Sequence, residues 1–128
     1  METTKSFTIN AIGETTGRSY SGKFTVKTVL TRADRFEADR RRRELLGPNG
    51  AEAMPDLQLE SFYLGQLAVR IVEAPEWWKD SSNGLNVEDA NLIKELSELT
   101  FAKEQEAREE LKKEAAAALA KMGGASAK

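Results

Sequence analysis

The chain contains no cysteine and no histidine in its 128 residues. Without cysteine there is no disulfide, no thiolate metal site and no thiol nucleophile. Without histidine the commonest general base and transition-metal ligand is missing, and an ordinary serine triad cannot be assembled. No apolar run approaches the roughly 18 residues that span a bilayer. The start Met1-Glu2-Thr3-Thr4-Lys5 lacks the apolar core of a signal peptide. Neither sign of charge dominates: the net charge is −2 with 31% charged residues, which disfavours nucleic-acid binding through bulk charge. Neither of the usual phosphate-cradling glycine patterns occurs. The acidic and amide stretch from Asp80 to Asn91 sets its glycine one position early for a calcium loop and lacks the closing glutamate. A soluble, cytoplasmic, non-catalytic protein without cofactor or metal is the expectation, on a chain about the size of one domain.

The first 30 residues carry a period of two. Phe7, Ile9 and Ala11 alternate with Thr8 and Asn10, and Tyr20, Gly22, Phe24, Val26, Thr28 and Leu30 alternate with more polar residues. The polar loop Gly13-Glu14-Thr15-Thr16-Gly17 joins them into a β-hairpin of two or three strands, confined to this part of the chain. A hairpin is marginal alone. The helices that follow, or a second copy of the chain, must cover its apolar face.

At Thr31 the period lengthens. Thr31 and Asp34 resemble a capping box opening a helix over about 32–46, which Gly47-Pro48-Asn49-Gly50 ends. Its conspicuous feature is Arg40-Arg41-Arg42-Arg43. Four consecutive helical residues point in four directions, so the run wraps the helix. Arg41 lies four after Glu37 and Arg43 four after Asp39, which favours ion pairing on the helix's own surface; contact with phosphate or an acidic partner is the alternative.

The most apolar helix is expected at about 57–72. Leu57, Leu64, Leu67, Ala68 and Ile71 share a face that Leu59, Phe62, Tyr63 and Val69 widen. Such a helix is buried or sits between partners, and it is expected at the centre of the core, with Tyr63 and Gly65 where packing is tight. Pro75 then stops it, and Asn83-Gly84 supplies turn chemistry. Asn86 and Asp89 read as the N-cap and first-turn acid of the next helix, so capping accounts for the carboxylates of Glu88 and Asp89 without catalysis. This corner holds both tryptophans. Trp77 and Trp78 are adjacent, so either one plugs the joint while its neighbour offers a partner contact, or a kink folds both into the corner.

The last helix starts near Val87 and can run to Met122. Ala90, Leu92, Ile93, Leu96 and Leu99 are available to the core, whereas beyond Ala102 the apolar content thins to Ala107, Leu111, Ala115, Ala118, Leu119 and Met122 among many charges. Leu111, Leu119 and Met122 form a stripe suited to a partner helix or a weak coiled-coil contact, with a solvated helix as the alternative. The expected architecture is α+β, mainly α: a hairpin over 1–30, a helical core over 31–102 and a projecting charged helix over 103–123, in one domain followed by a flexible tail at 124–128. Three helices are counted, the last one long.

Two stretches carry a resemblance. Ala-Pro-Glu-Trp-Trp at 74–78, Ser-Ser-Asn-Gly-Leu at 81–85 and Asp-x-Asn-Leu-Ile-Lys-Glu-Leu at 89–96 follow an apolar helix, and Tyr20-x-Gly22-x-Phe24 precedes a charged one. In this order they are similar to the tail assembly chaperones of long-tailed bacteriophages. The resemblance covers most of residues 6–100. It implies a protein that acts in the cytoplasm of the infected bacterium, keeps the long helical tape-measure protein soluble, helps recruit tail-tube subunits and then leaves. Trp77, Trp78, Leu111, Leu119 and Met122 are the expected partner contacts, and a homo-oligomer is compatible with the role. Two other classes remain: a structural virion protein, such as a head–tail connector or tail component, whose hairpin joins neighbouring sheets, and a nucleic-acid-binding regulator using Arg40, Arg41, Arg42 and Arg43.

Overall fold

The structure is a computed structural model and describes residues 3–126, with side chains described as far as Met122. The architecture is α+β and mainly helical. Strands β1 (Thr4–Ile12) and β2 (Ser19–Lys27) form the expected hairpin, antiparallel with Phe7 opposite Phe24 and Ala11 opposite Tyr20. Alternation then turns Phe7, Ile9, Tyr20, Phe24 and Val26 to one buried face. Gly22 stands opposite Ile9 because a Cβ there would lie 2.5 Å from the Pro75 ring.

The helices α1 (Arg32–Leu46), α2 (Pro55–Arg70), α3 (Glu76–Asp80) and α4 (Ala90–Ser126) follow. The capping box at α1 is present, with the Asp34 amide on Thr31 Oγ1 at 3.1 Å and the Thr31 amide on Asp34 Oδ2 at 3.0 Å. Helices α1 and α2 pack as a hairpin whose closest approach is at Gly65, where a Cβ would lie 2.6 Å from the Ala38 carbonyl oxygen. The tight packing expected at Gly65 therefore has a specific cause: only a residue without a side chain lets these backbones meet.

The third strand does not lie in the first 30 residues. It is β3 (Ile71–Glu73), the segment expected to finish the central helix, and it pairs antiparallel with β2 in the order β1-β2-β3. Pro75 holds the preceding residue extended, and Ile71 gains contact with the core by leaving the helix early. Two further boundaries move. A short α3 carries the tryptophans, making four helices, and α4 begins at Ala90, since Ser82, Asn83 and Gly84 take consecutive left-handed conformations that extend the turn. Asn86 donates its side-chain amide to Ser82 Oγ in that turn at 3.4 Å.

The core sits between the sheet, α3 and the first half of α4: Phe7, Ile9, Tyr20, Phe24, Val26, Leu67, Trp78, Leu92, Ile93 and Leu96. Helix α2 gives the core one fully buried large apolar side chain, Leu67, with Tyr63 and Leu64 partly buried against it, so it flanks the core instead of forming its centre. Its C-terminus is tied to α4 by Arg70, whose guanidinium lies 2.9 Å from Glu104 Oε2 and 5.0 Å from the centre of the Phe101 ring. Helix α4 packs on the body as far as Ala107, which is buried, and Leu111, which is half-buried. Its projecting part therefore starts at Lys112, later than the expected position 103. The helix extends to Ser126, and residues 127 and 128 of the expected tail lie outside the described residues.

Candidate protein-binding surface

The tryptophan corner is built inward. Trp78 is 2% exposed, with its ring edge-on to Phe24 at 5.8 Å and filling the space that Gly84 leaves open. It is a core residue, enclosed by the fold. Trp77 is half-buried: its indole N–H donates to the Ser21 carbonyl at 2.8 Å and its ring packs on Tyr20 and Phe24. Both rings serve the corner, because α3 is a single tight turn pressed against β2.

Asp89 organises the other side of this corner. Its carboxylate is fully enclosed and accepts four hydrogen bonds from the β1–β2 side: the amides of Thr15 and Thr16 at 2.8 and 2.9 Å, and the hydroxyls of Thr16 and Tyr20 at 2.6 Å each. Those donors, the hydroxyls first, hold the carboxyl well below the ordinary aspartate range. The expected role as a first-turn acid of α4 is replaced by one in which Asp89 latches the hairpin loop to the start of the last helix. Gly13 permits this, since a Cβ there would overlap the carboxyl group.

The arginine run is ion-paired along α1. Arg40 bonds both Glu37 and Glu44, Arg41 bonds Glu37 at 3.2 Å, and Arg42 and Arg43 both reach Asp39, at 2.9 and 3.0 Å. The Glu37 carboxyl is lowered chiefly by its hydrogen bond to Arg40, and Arg40 is raised by the same contact. A hollow of about 450 Å³ at the α1–α2 turn adjoins Arg42 and Arg43, but both guanidiniums already have a carboxylate. The four arginines of the run thus share three carboxylates, Glu37, Asp39 and Glu44, on the helix's own surface, which leaves only a small positive excess there.

What the fold leaves open is apolar. Leu57 is 53% exposed and Phe36 73%, and Leu45, Met54, Leu59 and Phe62 are exposed with them on the α1–α2 hairpin. Two adjoining hollows of about 310 and 170 Å³ run along this hairpin. Leu45 and Leu64 line both. The larger continues to Ala68 and Leu85 and is rimmed by Arg41 and Glu44, while the smaller ends at Leu57 and Ala53 beside Glu60. The result is a shallow apolar groove with charges of both signs at its edge. Its one signal in the sequence is α2 itself, whose all-round apolar character fits a helix between partners as well as a buried one. Leu85, supplied by the turn after α3, had no such signal.

Of the α4 stripe, Leu111 is half-buried against the body, whereas Leu119 and Met122 are exposed. The groove and the stripe are therefore separate surfaces. Among the described residues no cluster of acidic side chains is arranged to hold a metal ion, and no helix is long and apolar enough to cross a membrane. No family model, curated protein or solved structure matches the chain.

Proposed function

We propose that this protein is a non-catalytic tail assembly chaperone of a long-tailed bacteriophage, which captures the tape-measure protein and helps recruit tail-tube subunits in the cytoplasm of the infected cell. The observation that carries the reading is the apolar groove of Leu45, Leu57, Leu64, Ala68 and Leu85 along the α1–α2 hairpin. A groove of this kind accepts the apolar face of an amphipathic helix, and the tape-measure protein implied by the resemblance is a long helical chain. Exposed apolar contacts on a body otherwise covered in paired charges give capture without self-precipitation. The shallow form suits reversible association, as release demands.

Co-expression with the candidate tape-measure protein tests this directly. The parent chain should keep that protein in the soluble fraction, and Leu45→Glu with Leu57→Glu, both at exposed positions, should abolish the rescue while leaving the circular dichroism and melting temperature of the chaperone unchanged. Absence of rescue by the parent chain would remove the assignment.

One observation favours a structural virion role as a second reading. Strand β1 lies at the edge of the sheet with nine residues, so one rim of its backbone is open to pairing with a neighbouring chain. Stable rings in solution and the presence of the protein in purified particles would favour it.

A further inference from the structure

The sheet edge formed by β1 has none of the features that keep such edges apart. The Thr28 amide donates to the Thr3 carbonyl at one end of the hairpin and the Gly13 amide to the Arg18 carbonyl at the other, both at 2.8 Å, so the odd-numbered residues of β1 turn their backbone groups toward β2. The N–H and C=O groups of Thr4, Ser6, Thr8, Asn10 and Ile12 therefore point outward. Asn91 takes one of these groups, its side-chain amide donating to the Ile12 carbonyl at 3.0 Å. Strand β1 contains no proline, its register with β2 runs without a bulge, and its one charge, Lys5, sits on the face covered by α4, where it bonds Glu110 at 2.8 Å. On the other face Thr4, Ser6, Thr8, Asn10 and Ile12 are all exposed and uncharged.

We propose that β1 pairs with β1 of a second copy of this chain, antiparallel, about a two-fold axis through Thr8, joining the three strands of each copy into one continuous sheet. Outward groups bond only to outward groups, so even positions must oppose even positions. The register that overlaps the whole of 4–12 meets this condition: Thr8 opposes Thr8, Ser6 opposes Asn10 and Thr4 opposes Ile12. About six backbone hydrogen bonds form over Ser6, Thr8 and Asn10. On the covered face the same register sets Phe7 beside Ile9 and Lys5 beside Ala11, so the apolar row crosses the axis and no like charges meet. A slip of one residue would lose both the bonds and the row. Helix α4 lies over both β1 and β2, about one strand spacing from the axis, so the two copies of α4 come to about 10 Å apart, an ordinary packing distance. Pairing with β3 of a neighbour would engage three residues, whereas β1 on β1 engages the whole strand in an isologous contact that closes. Helix α2 runs directly into β3 at the opposite edge, so the groove of each copy stays open. The pairing neither needs nor blocks the chaperone reading. One strand pair is small beside a standard interface, and the dimer is accordingly concentration-dependent.

Sedimentation velocity and amide hydrogen exchange on the full chain, between micromolar and millimolar concentration, test the pairing. A reversible monomer–dimer equilibrium with Kd of roughly 10–100 μM is expected. The amides of Ser6, Thr8 and Asn10 should gain protection as concentration rises, whereas those of Phe7 and Ile9, already bonded to β2, should be protected throughout. Thr8→Pro removes an outward donor that β2 does not use and should raise the Kd by at least about tenfold. Thr8→Lys sets two like charges face to face at the axis and should raise it by about fivefold, with the circular dichroism of the monomer unchanged because position 8 is exposed there. The lysine variant keeps the test valid if the proline variant fails to fold. A chain that stays monomeric at the highest concentration, assembly into rings or longer oligomers, a dimer that Thr8→Lys leaves unchanged, or dimerisation without added protection at Ser6, Thr8 and Asn10 would each overturn the proposal.

Discussion

The phenol of Tyr20 donates a 2.6 Å hydrogen bond to Oδ2 of Asp89, and the contact joins the second strand to the residue before the last helix across 69 positions of sequence. Burial, and then this bond, raises the Tyr20 phenol above its ordinary value, while the donors around Asp89 lower the carboxyl. Both groups therefore keep the protonation state that the bond needs, tyrosine neutral and aspartate charged, through the physiological range. The pair is the clasp between the β and helical parts of the domain.

Replacing Asp89 by Asn leaves one carbonyl oxygen for four donors. The melting temperature is expected to fall by roughly 5–10 °C, and by more in Asp89→Ala, with the loss read by circular dichroism. Acid should act through the same group. A carboxyl whose folded value lies below the unfolded one contributes stability that is full above about pH 4 and is lost as the pH drops through the folded value. Asp34 and Glu37 are lowered as well and add to the slope. The parent should thus lose melting temperature steadily below about pH 4, and Asp89→Asn should show a shallower dependence.

The two tryptophans should separate by stability. Trp78→Ala empties an enclosed aromatic site and is expected to cost about 3–5 kcal/mol in urea unfolding. Trp77→Phe keeps the ring packing on Tyr20 and gives up the indole bond to Ser21, at about 1 kcal/mol. Neither folded variant should lose capture of a partner helix, because neither ring lines the groove.

Gly65→Ala adds one methyl group where α1 and α2 meet. Helix propensity alone would stabilise the variant by about 1 kcal/mol. Because the new carbon meets backbone, which cannot rotate away, the net effect is expected to be a loss of about 1–3 kcal/mol by urea unfolding.

The double variant Arg41→Ala, Arg42→Ala removes pairs that lie on the solvated surface of one helix. Melting temperature should change by no more than about 2 °C, and no DNA mobility shift should be seen for parent or variant near 150 mM salt. A shift that the parent shows and the variant loses would restore the nucleic-acid reading.

Truncation locates the end of the folded body. Ending the chain after Leu111 should leave unfolding unchanged within about 0.5 kcal/mol, since the side chains from Lys112 to Met122 are exposed. Ending it after Ala102 removes Glu104 and leaves the Arg70 guanidinium buried without its carboxylate, at a cost of about 3–5 kcal/mol.

Much of the fold was legible where a local rule fixes the outcome. The period-two pattern located β1 and β2, the Thr31–Asp34 box located the start of α1, and Gly65 marked a close approach. Strand β3 was hidden because three residues are too few to show a period, and because Ile71-Val72 prolongs an apolar helix as readily as it begins a strand. Asp89 was misread for a related reason. An acid before a helix satisfies a local capping rule, whereas its actual donors lie more than 65 residues away. The groove was hidden differently: the apolar count of α2 is the same whether its faces are covered or open.

The sequence by itself determined the order of strand and helix, the absence of thiol and imidazole chemistry, and the pairing of Arg41 with Glu37 and of Arg43 with Asp39, each four residues before it. All of these depend on neighbours along the chain or on composition. Tertiary structure alone decided that Trp78 is enclosed, that Asp89 serves the hairpin loop, that α2 keeps an open apolar side, and that α4 leaves the body at Lys112. Those outcomes depend on which surfaces meet after the chain doubles back. Burial and long-range hydrogen bonding are properties of pairs of segments, and no window of sequence contains both members.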